Sequence, residues 1–549
     1  MRTILHTKVK KVEVQQATMT KNKKDFYLFN PTKFSFSLVE LNHSKNMNKF
    51  LFLLAGIAIG IFFTNVELPS INPYSIFITL LPFLKYTCVT FLLISCLLIL
   101  IPFFLAIITC SAGRTAAMQA ISNTMNYYRC LSYYWISNGT YEQCPYFQDN
   151  VRAKVQIYSL ALIMRIWDKD HYRNGDFQED MIKNLRDVAL PGTGIPLSYF
   201  AYHKILTYFF LLVLYPTVAW IAAFNRVYHN NEEEPTEYTK HSKVHHLYQC
   251  YNEQLIEPRD WFSYWRLNCR LATYHSYVTG KATKENYDCE DKWKFLIKSK
   301  EKDIAVTPWL DVDIICKDRN EEGGLGFKAF KNAANTEHNN GTGGQWIIQE
   351  KLKNGKFLSS MLPKTNPPLS TFRIISSSKG GLHVGDCTRQ DIKALSCVWR
   401  AGRANAATDH TAILFNVHPT SGEILKGTLN THWYHANPAN KKTTLSTHSY
   451  THHPDTNGVI TGQKVTNIKE IMDFVEDAHY KLIPHVPLCG WDVALCGDDD
   501  EKLLLEGNFS CNFFRGTFDE DYYFNMVEEY FIDCEKMEGR GGKEIKKER

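Results

Sequence analysis

The sequence lacks the cysteine patterns of zinc-binding and disulfide-stabilised folds. Its 15 cysteines include no pair at C-x-x-C spacing, and they are scattered through polar and apolar segments alike. Zinc sites and disulfide frameworks use regular, close spacings, so neither is expected here. We expect mostly reduced thiols, with a few structural disulfides in a lumenal segment as the alternative.

A concentration of charge of one sign is also missing. The 62 basic and 57 acidic side chains leave a net charge of only +5 over 549 residues. Nucleic-acid-binding proteins usually carry a basic face or stripe, so nucleic acid is not an expected partner. We also see no internal repeats, and the length allows about two to four domains.

Long uncharged apolar runs are present in the first half of the chain. A Lys-rich tail over 1–49, which we expect to be disordered, precedes an apolar transmembrane region over 50–110. Phe50–Phe63 falls short of the roughly 20 residues of a full span and fits a marginal span or a signal anchor. Thr87–Thr109 is long enough, and we expect it to cross the membrane. Leu206–Phe224 fits a third span or a membrane-lying helix, with a buried core helix as the alternative.

Polarity divides the rest of the chain. Mixed charges over 111–205 indicate a helical connecting region, and the polar stretch that follows the third apolar run indicates a linker over 225–259. Residues 260–534 have the composition of a soluble α/β mixture, and 535–549 form a charged tail. The sequence therefore predicts an α+β domain preceded by N-terminal transmembrane helices.

A lysine and a glycine-rich loop open the C-terminal half. Lys317 ends the short apolar strand DIICK, and the loop EGGLGF follows at 322–327. Glycines let backbone N–H groups lie against phosphate oxygens because no Cβ intervenes. Such loops are also common in ordinary turns, and the preceding lysine is what strengthens the case for phosphate binding.

Polar side chains recur after this loop. The apolar strands QWIIQE and TFRII carry Glu350 and Arg373, and WRAGR carries Arg400 and Arg403. Two neighbouring guanidiniums suit a carboxylate or a phosphate, and surface salt bridges are an equal alternative. Histidines around HHPDT lack any zinc spacing and indicate a polar substrate rim.

The stretch WDVALCGDDDEKLLLEGN predicts a β-hairpin with acids inside its strands. Asp492 and Glu506 are equidistant from Asp499, so a turn centred there places them opposite each other on one face. Asn508, two residues further on, shares that face. Opposed carboxylates need a neutralising cation, and carboxylate and amide oxygens suit Mg²⁺. The hairpin therefore predicts a magnesium site.

In their order and amino-acid sequences these segments resemble the ATP-grasp superfamily, most closely the sugar-transfer-associated and alpha-L-glutamate-ligase-related ATP-grasp domains. The resemblance covers roughly 260–525, through EDKWKFL, VTPWL, DIICK, GGLGF, WIIQE, STFRI, WRAGR, HPDTNG, GWDVAL and LLLEGN. It implies two α+β subdomains with ATP between them.

The resemblance also implies a role for each matching position. The phosphates of ATP would be bound by lysines and covered by loop glycines, namely Lys292, Lys317, Gly323, Gly324 and Gly326. Adenine and ribose would contact Gln349 and Glu350. One or two Mg²⁺ ions would be bound by Asp492, Glu506 and Asn508. The transferred phosphoryl group or the substrate acid would be steadied by Arg373 and Arg403.

The implied reaction joins a carboxylate to an amine. ATP would convert the carboxylate into an acyl phosphate, and a small or saccharide-linked amine would displace phosphate. Asp318 stands where related sequences tend to have proline, which favours one alternative, a non-catalytic membrane scaffold that keeps the fold. An ATP-dependent phosphotransferase is the other alternative.

Three sequence signals concern the side of the membrane. Lysines in 1–49 favour a cytosolic N-terminus, and the final KKER resembles a dilysine retrieval signal of endomembrane proteins. A glycan on the sequon Asn508-Phe509-Ser510 would destroy the expected metal site. We therefore expect an integral endomembrane protein with an even number of spans and the ATP-grasp domain in the cytosol.

Overall fold

The computed structural model describes residues 111–547 except for short gaps. The gaps are 174, 187, 190–194, 229–242, 281–285, 310–313, 317–327, 331–346, 348, 365–366, 383–386, 407–411, 430–448 and 515. The tail and transmembrane region expected over 1–110 lie outside the described residues. So do Lys317 and the three loop glycines.

The described residues form an α+β structure that is about half helical. The first half of it is a group of helices. They are α1 (Ser111–Trp135), α2 (Val151–Arg165), α3 (Phe177–Asn184), α4 (Ser198–Ala201), α5 (Lys204–Phe209), α6 (Tyr215–Tyr228), α7 (Lys243–Ile256) and α8 (Trp261–Thr279). A π turn, Phe210–Leu214, joins α5 to α6. Side chains of Asn150, Asp176 and Asp260 accept backbone N–H groups where α2, α3 and α8 begin.

The second half contains α9 (Lys292–Glu301), α10 (Lys356–Met361), α11 (Ile468–Leu482) and α12 (Glu520–Lys547). Its strands are β1 (Ile314–Cys316), β2 (Lys328–Phe330), β3 (Thr371–Ser378), β4 (Ile392–Ala401), β5 (Ile413–Val417), β6 (Ile424–Thr428), β7 (Leu488–Cys496) and β8 (Glu501–Asn508). β1 and β2 pair with each other, and the rest form one antiparallel sheet in the order β6-β5-β4-β3-β7-β8.

Helix α11 covers the central strands of this sheet. Its buried side chains recur every three or four residues, from Ile468 through Ile471 and Val475 to Leu482. This spacing places them on one face of the helix. Strands β3 and β7, in the middle of the sheet, are buried at every residue. The core of the second half therefore lies between α11 and the sheet.

Several expected elements can be compared with the structure. The described part of DIICK, Ile314–Cys316, forms strand β1, TFRII begins β3, and the hairpin forms β7 and β8. Residues 243–256, expected within a linker, instead form α7, which buries Leu247 and Tyr251. Residues 535–547, expected as a charged tail, continue helix α12. The eleven cysteines whose side chains are described form no disulfide.

The third apolar run forms a continuous helix. Residues Lys204–Tyr228 make a helix of 25 residues that is long and apolar enough to cross a membrane, and 39% of its most apolar window is buried inside the protein. The core helix of a soluble protein can have the same length and composition. A third span, a membrane-lying helix and a buried core helix therefore all stay predictions for this segment.

Candidate functional site

The acidic hairpin places its two carboxylates opposite each other. Asp492 on β7 pairs with Glu506 on β8, and Gly490 pairs with Asn508. The predicted opposition of the two acids is therefore confirmed. Asn508 lies two residues after Glu506 on β8, so its side chain is on the same face of the sheet, beside the acid pair.

The opposition arises in a different way from the predicted symmetric turn. The last pair before the turn is Cys496 with Glu501, and regular pairing extends from there to Val493 with Leu504. An uninterrupted ladder would then put Leu505 opposite Asp492. A β-bulge leaves Leu505 as an extra residue, and Glu506 takes the place opposite Asp492. The predicted turn centre at Asp499 is wrong, and the bulge compensates for the error.

Arginines, rather than solvent, surround the Asp492 carboxylate. Arg373 lies directly opposite it on β3, and its Nε and Nη2 donate to Oδ1 and Oδ2 at 2.5 and 3.0 Å. Arg400 on β4 donates through Nη1 to both oxygens at 3.0 Å. The side chains of all three are about one-tenth exposed. They form a buried charged cluster in the middle of the sheet.

The arginines decide the charge state of Asp492. Burial alone would raise the pKa of this carboxyl, but the two guanidiniums outweigh it and lower the pKa to about 2. Burial would likewise lower the pKa of Arg373, which Asp492 raises. Both side chains are therefore charged at neutral pH.

Glu506 has a cation of its own. Lys292, the first residue of α9, places Nζ 2.7 Å from Glu506 Oε2, and Asn508 Nδ2 donates to Glu506 Oε1 at 3.3 Å. The pKa of Lys292 is lowered by partial burial but raised overall by Glu506. Its side chain is 68% exposed. The lysine therefore lies at the solvent-facing side of the acid pair.

The side chains in direct contact at this site are two acids and three cations, and the nearby Glu290, whose charge also acts on Lys292, is paired with Arg173. Lys292, Arg373 and Arg400 together outnumber Asp492 and Glu506 by one. Such a group attracts an anion such as a phosphate or a carboxylate. The opposed acids are already neutralised by basic side chains. Their mutual repulsion therefore does not require a metal ion.

The donor set nevertheless fits magnesium chemically. Asp492, Glu506 and Asn508 supply carboxylate and amide oxygens, which are hard ligands. The oxygens of Asp492 are engaged by two arginines, and Glu506 Oε2 is engaged by Lys292. Binding of Mg²⁺ by these residues therefore requires that cationic side chains turn away from the acids, for instance toward phosphate oxygens.

Other expected site residues lie apart from this cluster. Arg403 forms a bidentate pair with Asp455, at 2.8 and 2.6 Å, on the loop HPDTNG. Gln349 pairs with Trp309, and the Glu350 N–H donates to Pro308 O at 2.9 Å. Gln349 and Glu350 are exposed. No described contact joins these residues to Asp492 or Glu506.

The structure adds residues that the sequence did not single out. Arg400 appeared only as a partner of Arg403, and its contact with Asp492 depends on a strand pairing that the sequence does not reveal. Glu290 is partly buried and accepts from the Phe509 N–H at 3.2 Å. Arg173 from the helical half donates to Glu290 at 2.7 Å. The end of β8 is thereby tied to the helices.

A second group of potential metal ligands lies near Arg173. His171, Asp180 and Cys269 are buried with their ligand atoms within 4.8 Å of one another. The Arg173 backbone N–H donates to His171 Nδ1, so neutral His171 carries its proton on Nε2, which lies 3.4 Å from Asp180 Oδ2. A protonated Nε2 cannot bind a metal. This group is better explained as a buried polar contact.

Comparison with known proteins gives no family assignment. No protein-family model matches the chain, and a search of curated proteins finds no similar sequence.

Proposed function

We propose that the chain is a membrane-anchored, Mg-ATP-dependent ligase of the ATP-grasp type. It would activate a carboxylate as an acyl phosphate for attack by an amine on a small or saccharide-linked substrate. The catalytic domain would face the cytosol from an endomembrane. This proposal combines the sequence resemblance with the geometry of the Asp492 site.

The observation that carries the proposal is the joint presence of acids and excess cations at one place in the sheet. Arg373, Arg400 and Lys292 surround two opposed carboxylates, with the Asn508 amide beside them. Phosphoryl transfer from ATP needs oxygen ligands for Mg²⁺ together with cations for the phosphate oxygens. A buried structural salt bridge alone would not require the exposed Lys292 or the excess charge.

The residues of this chain would act mainly by binding and orienting. Lys292 is the exposed cation and would meet the phosphates first. Arg373 and Arg400, held in the sheet, would donate to the oxygens on which charge develops during transfer. Magnesium, when bound by Asp492, Glu506 and Asn508, would neutralise phosphate charge. Lys317 would bind the phosphates, and the glycines after it would cover the nucleotide and exclude water from the acyl phosphate.

The test is ADP release by the full-length protein with Mg-ATP and a pool of carboxylates and amines. Glu506→Gln keeps the size of the side chain but removes a proposed ligand charge, so we expect at least about a hundredfold loss of ADP release. Glu470→Gln is the matched control, because Glu470 also pairs with a lysine, Lys502, on the protein surface. It should retain the wild-type rate.

Different outcomes select the alternative functions. Equal ADP release by wild type and Glu506→Gln would refute the proposed site. Thermal stabilisation by Mg-ATP without ADP release from any substrate would indicate the non-catalytic scaffold. A phosphorylated product without acyl transfer would indicate a phosphotransferase.

A further inference from the structure

Exposed large apolar side chains are concentrated in one part of the described structure. Ten of them are more than one-third exposed, and only Val459 lies outside residues 118–228. Isolated apolar residues on a surface are ordinary, but a concentration in a single region marks a contact surface. The feature that needs a partner is therefore the helical half.

Four exposed apolar residues, Ile205, Leu212, Phe224 and Tyr228, lie along the Lys204–Tyr228 helix. The partly exposed Phe209, Thr217 and Ile221 lie between them and complete a stripe. They recur at three- and four-residue steps before and after the π turn, as expected for one face of a helix. The step across the π turn, from Leu212 to Thr217, is five residues, which matches the i to i+5 spacing of that turn. The π turn thus keeps the stripe on one side. Its apolar members are Ile205, Phe209, Leu212, Ile221, Phe224 and Tyr228.

The opposite side of this helix is fixed to the protein along its length. Trp135 of α1 packs edge-on against Tyr208, and the Tyr127 hydroxyl donates to Leu211 O at 2.7 Å. Further along, Trp220 stacks on Tyr251 of α7 at 4.1 Å. The helix therefore cannot enter a bilayer without carrying α1 and α7 with it.

The neighbouring helices are too polar to cross a bilayer. Arg114 and Arg129 of α1 are exposed, and Glu253 of α7 pairs with Arg226 at the surface. Moving such charges into hydrocarbon costs several kcal/mol each. The long helix itself has no charged residue between Lys204 and Arg226. These facts disfavour a helix that crosses the membrane and favour one that lies on it.

We propose that the Lys204–Tyr228 helix lies in the plane of a lipid bilayer, with its apolar stripe at the boundary between headgroups and acyl chains. The exposed aromatic rings at its two ends, Tyr202 and Tyr228, suit that boundary. Lipid is the favoured occupant because the uncharged run Thr87–Thr109 ends just before α1 begins at Ser111. A span over this run, as the sequence predicts, would bring α1 and the helix packed on it to the membrane surface.

The test measures depth in the full-length protein reconstituted in vesicles. A genetically encoded fluorescent amino acid replaces Ile205, Leu212 or Phe224, one at a time, and lipids carry nitroxide quenchers at a shallow or a deep position. An in-plane helix predicts the same strong shallow quenching at all three sites. Val459, which is exposed outside the helical half, is the control and should be quenched only by iodide in the water.

Each other outcome contradicts the proposal in its own way. A spanning helix would show Leu212 deepest, because residues 205 and 224 lie about 28 Å apart along a helix axis. Contact with a second copy would shield all three sites from both quenchers and allow cross-linking between copies. Iodide quenching at all three would show a surface in water. None of these results depends on ligase activity, so the two proposals fail separately.

Discussion

At the scale of single residues, the most consequential feature is a carboxylate that touches two guanidiniums inside a sheet. Asp492 lies between Arg373 and Arg400, and these charges come from three different strands. A buried ion pair is weakly stabilising as a whole but costly to break, since removing one member leaves the others without compensation. The cluster therefore combines the proposed binding role with a structural one.

Asp492→Asn should destabilise the fold strongly. The substitution leaves two buried guanidiniums facing a neutral amide, and we expect the free energy of unfolding to fall by about 3–5 kcal/mol. Urea unfolding followed by fluorescence of the buried Trp491 and Trp399 measures this change. Asp455→Asn is the control, because the Arg403–Asp455 pair is more exposed, and its loss should cost about 1 kcal/mol or less. Equal losses of unfolding free energy in Asp492→Asn and Asp455→Asn would contradict the claim that burial makes the Asp492 cluster costly to break.

The sequence revealed the identities of the charged residues better than their contacts. The opposition of the hairpin acids was predicted from a turn centre that is wrong, and it holds only because the bulge at Leu505 restores the pairing of Asp492 with Glu506. The contact of Arg400 with Asp492 was not predicted, because the sequence does not say which strand lies beside β7. The pairing of β3 with β7 brings together residues 119 positions apart. Side-chain partners set by such long-range pairing follow from the whole fold and not from local pattern.

At the scale of elements, a chain of hydrogen bonds connects α11 to the centre of the sheet. The Trp491 indole N–H donates to Ser376 Oγ at 2.7 Å, and the Ser376 hydroxyl lies 2.6 Å from His479 Nδ1. His479 Nε2 lies 3.0 Å from Val486 O, which can only accept. The proton of neutral His479 is therefore on Nε2, and Ser376 donates to Nδ1. Every polar side-chain atom of Trp491, Ser376 and His479 therefore has a hydrogen-bond partner.

This network predicts a loss of stability in mild acid. Burial lowers the pKa of His479 from 6.5 to about 4, so between these values the unfolded chain binds a proton that the folded chain does not. Stability is then complete above pH 6.5 and falls as the pH drops toward 4, by roughly 3 kcal/mol for this histidine. Urea unfolding at pH 7, 6, 5 and 4.5 measures the fall.

Substitution of the histidine tests its share of the pH dependence. His479→Gln removes the titrating group, so its free energy of unfolding should change less between pH 7 and 4.5 than that of wild type, whatever its absolute value. The exposed His452 gives the control variant His452→Gln, which should follow the wild-type slope. Three other buried histidines, His171, His275 and His453, also have pKa values lowered by burial, the first two to about 4 and about 3, and they contribute to the remaining slope.

At the scale of the whole molecule, the long C-terminal helix joins the helical half to the sheet. Its Glu535 carboxylate is buried and receives the Tyr158 hydroxyl, the Arg165 guanidinium and the Tyr141 backbone N–H, each at 2.7 Å. On the sheet side, the Tyr530 hydroxyl donates to Ser378 O at 2.7 Å. The composition of residues 535–549 indicated a loose tail, because a single buried acid cannot be recognised in a charged segment.

Glu535→Ala should loosen α12. The change removes three charge-assisted contacts, and we expect a loss of about 2 kcal/mol in the local stability of the helix. Hydrogen exchange of the backbone amides of residues 520–539 reports this local opening directly. Glu529→Ala is the control on the same helix, since Glu529 makes only a partly exposed pair with Lys379. Faster exchange in Glu529→Ala than in Glu535→Ala would contradict the assigned anchor.

The bulge at Leu505 has a consequence for how this hairpin can change in evolution. One residue of β8 is unpaired, so a deletion there can be absorbed by closing the bulge, and Glu506 stays opposite Asp492. An insertion in the same strand cannot be absorbed in this way, and it turns Glu506 to the other face of the sheet. Related chains that keep the acid pair should therefore vary in length at this strand by loss of a residue more readily than by gain.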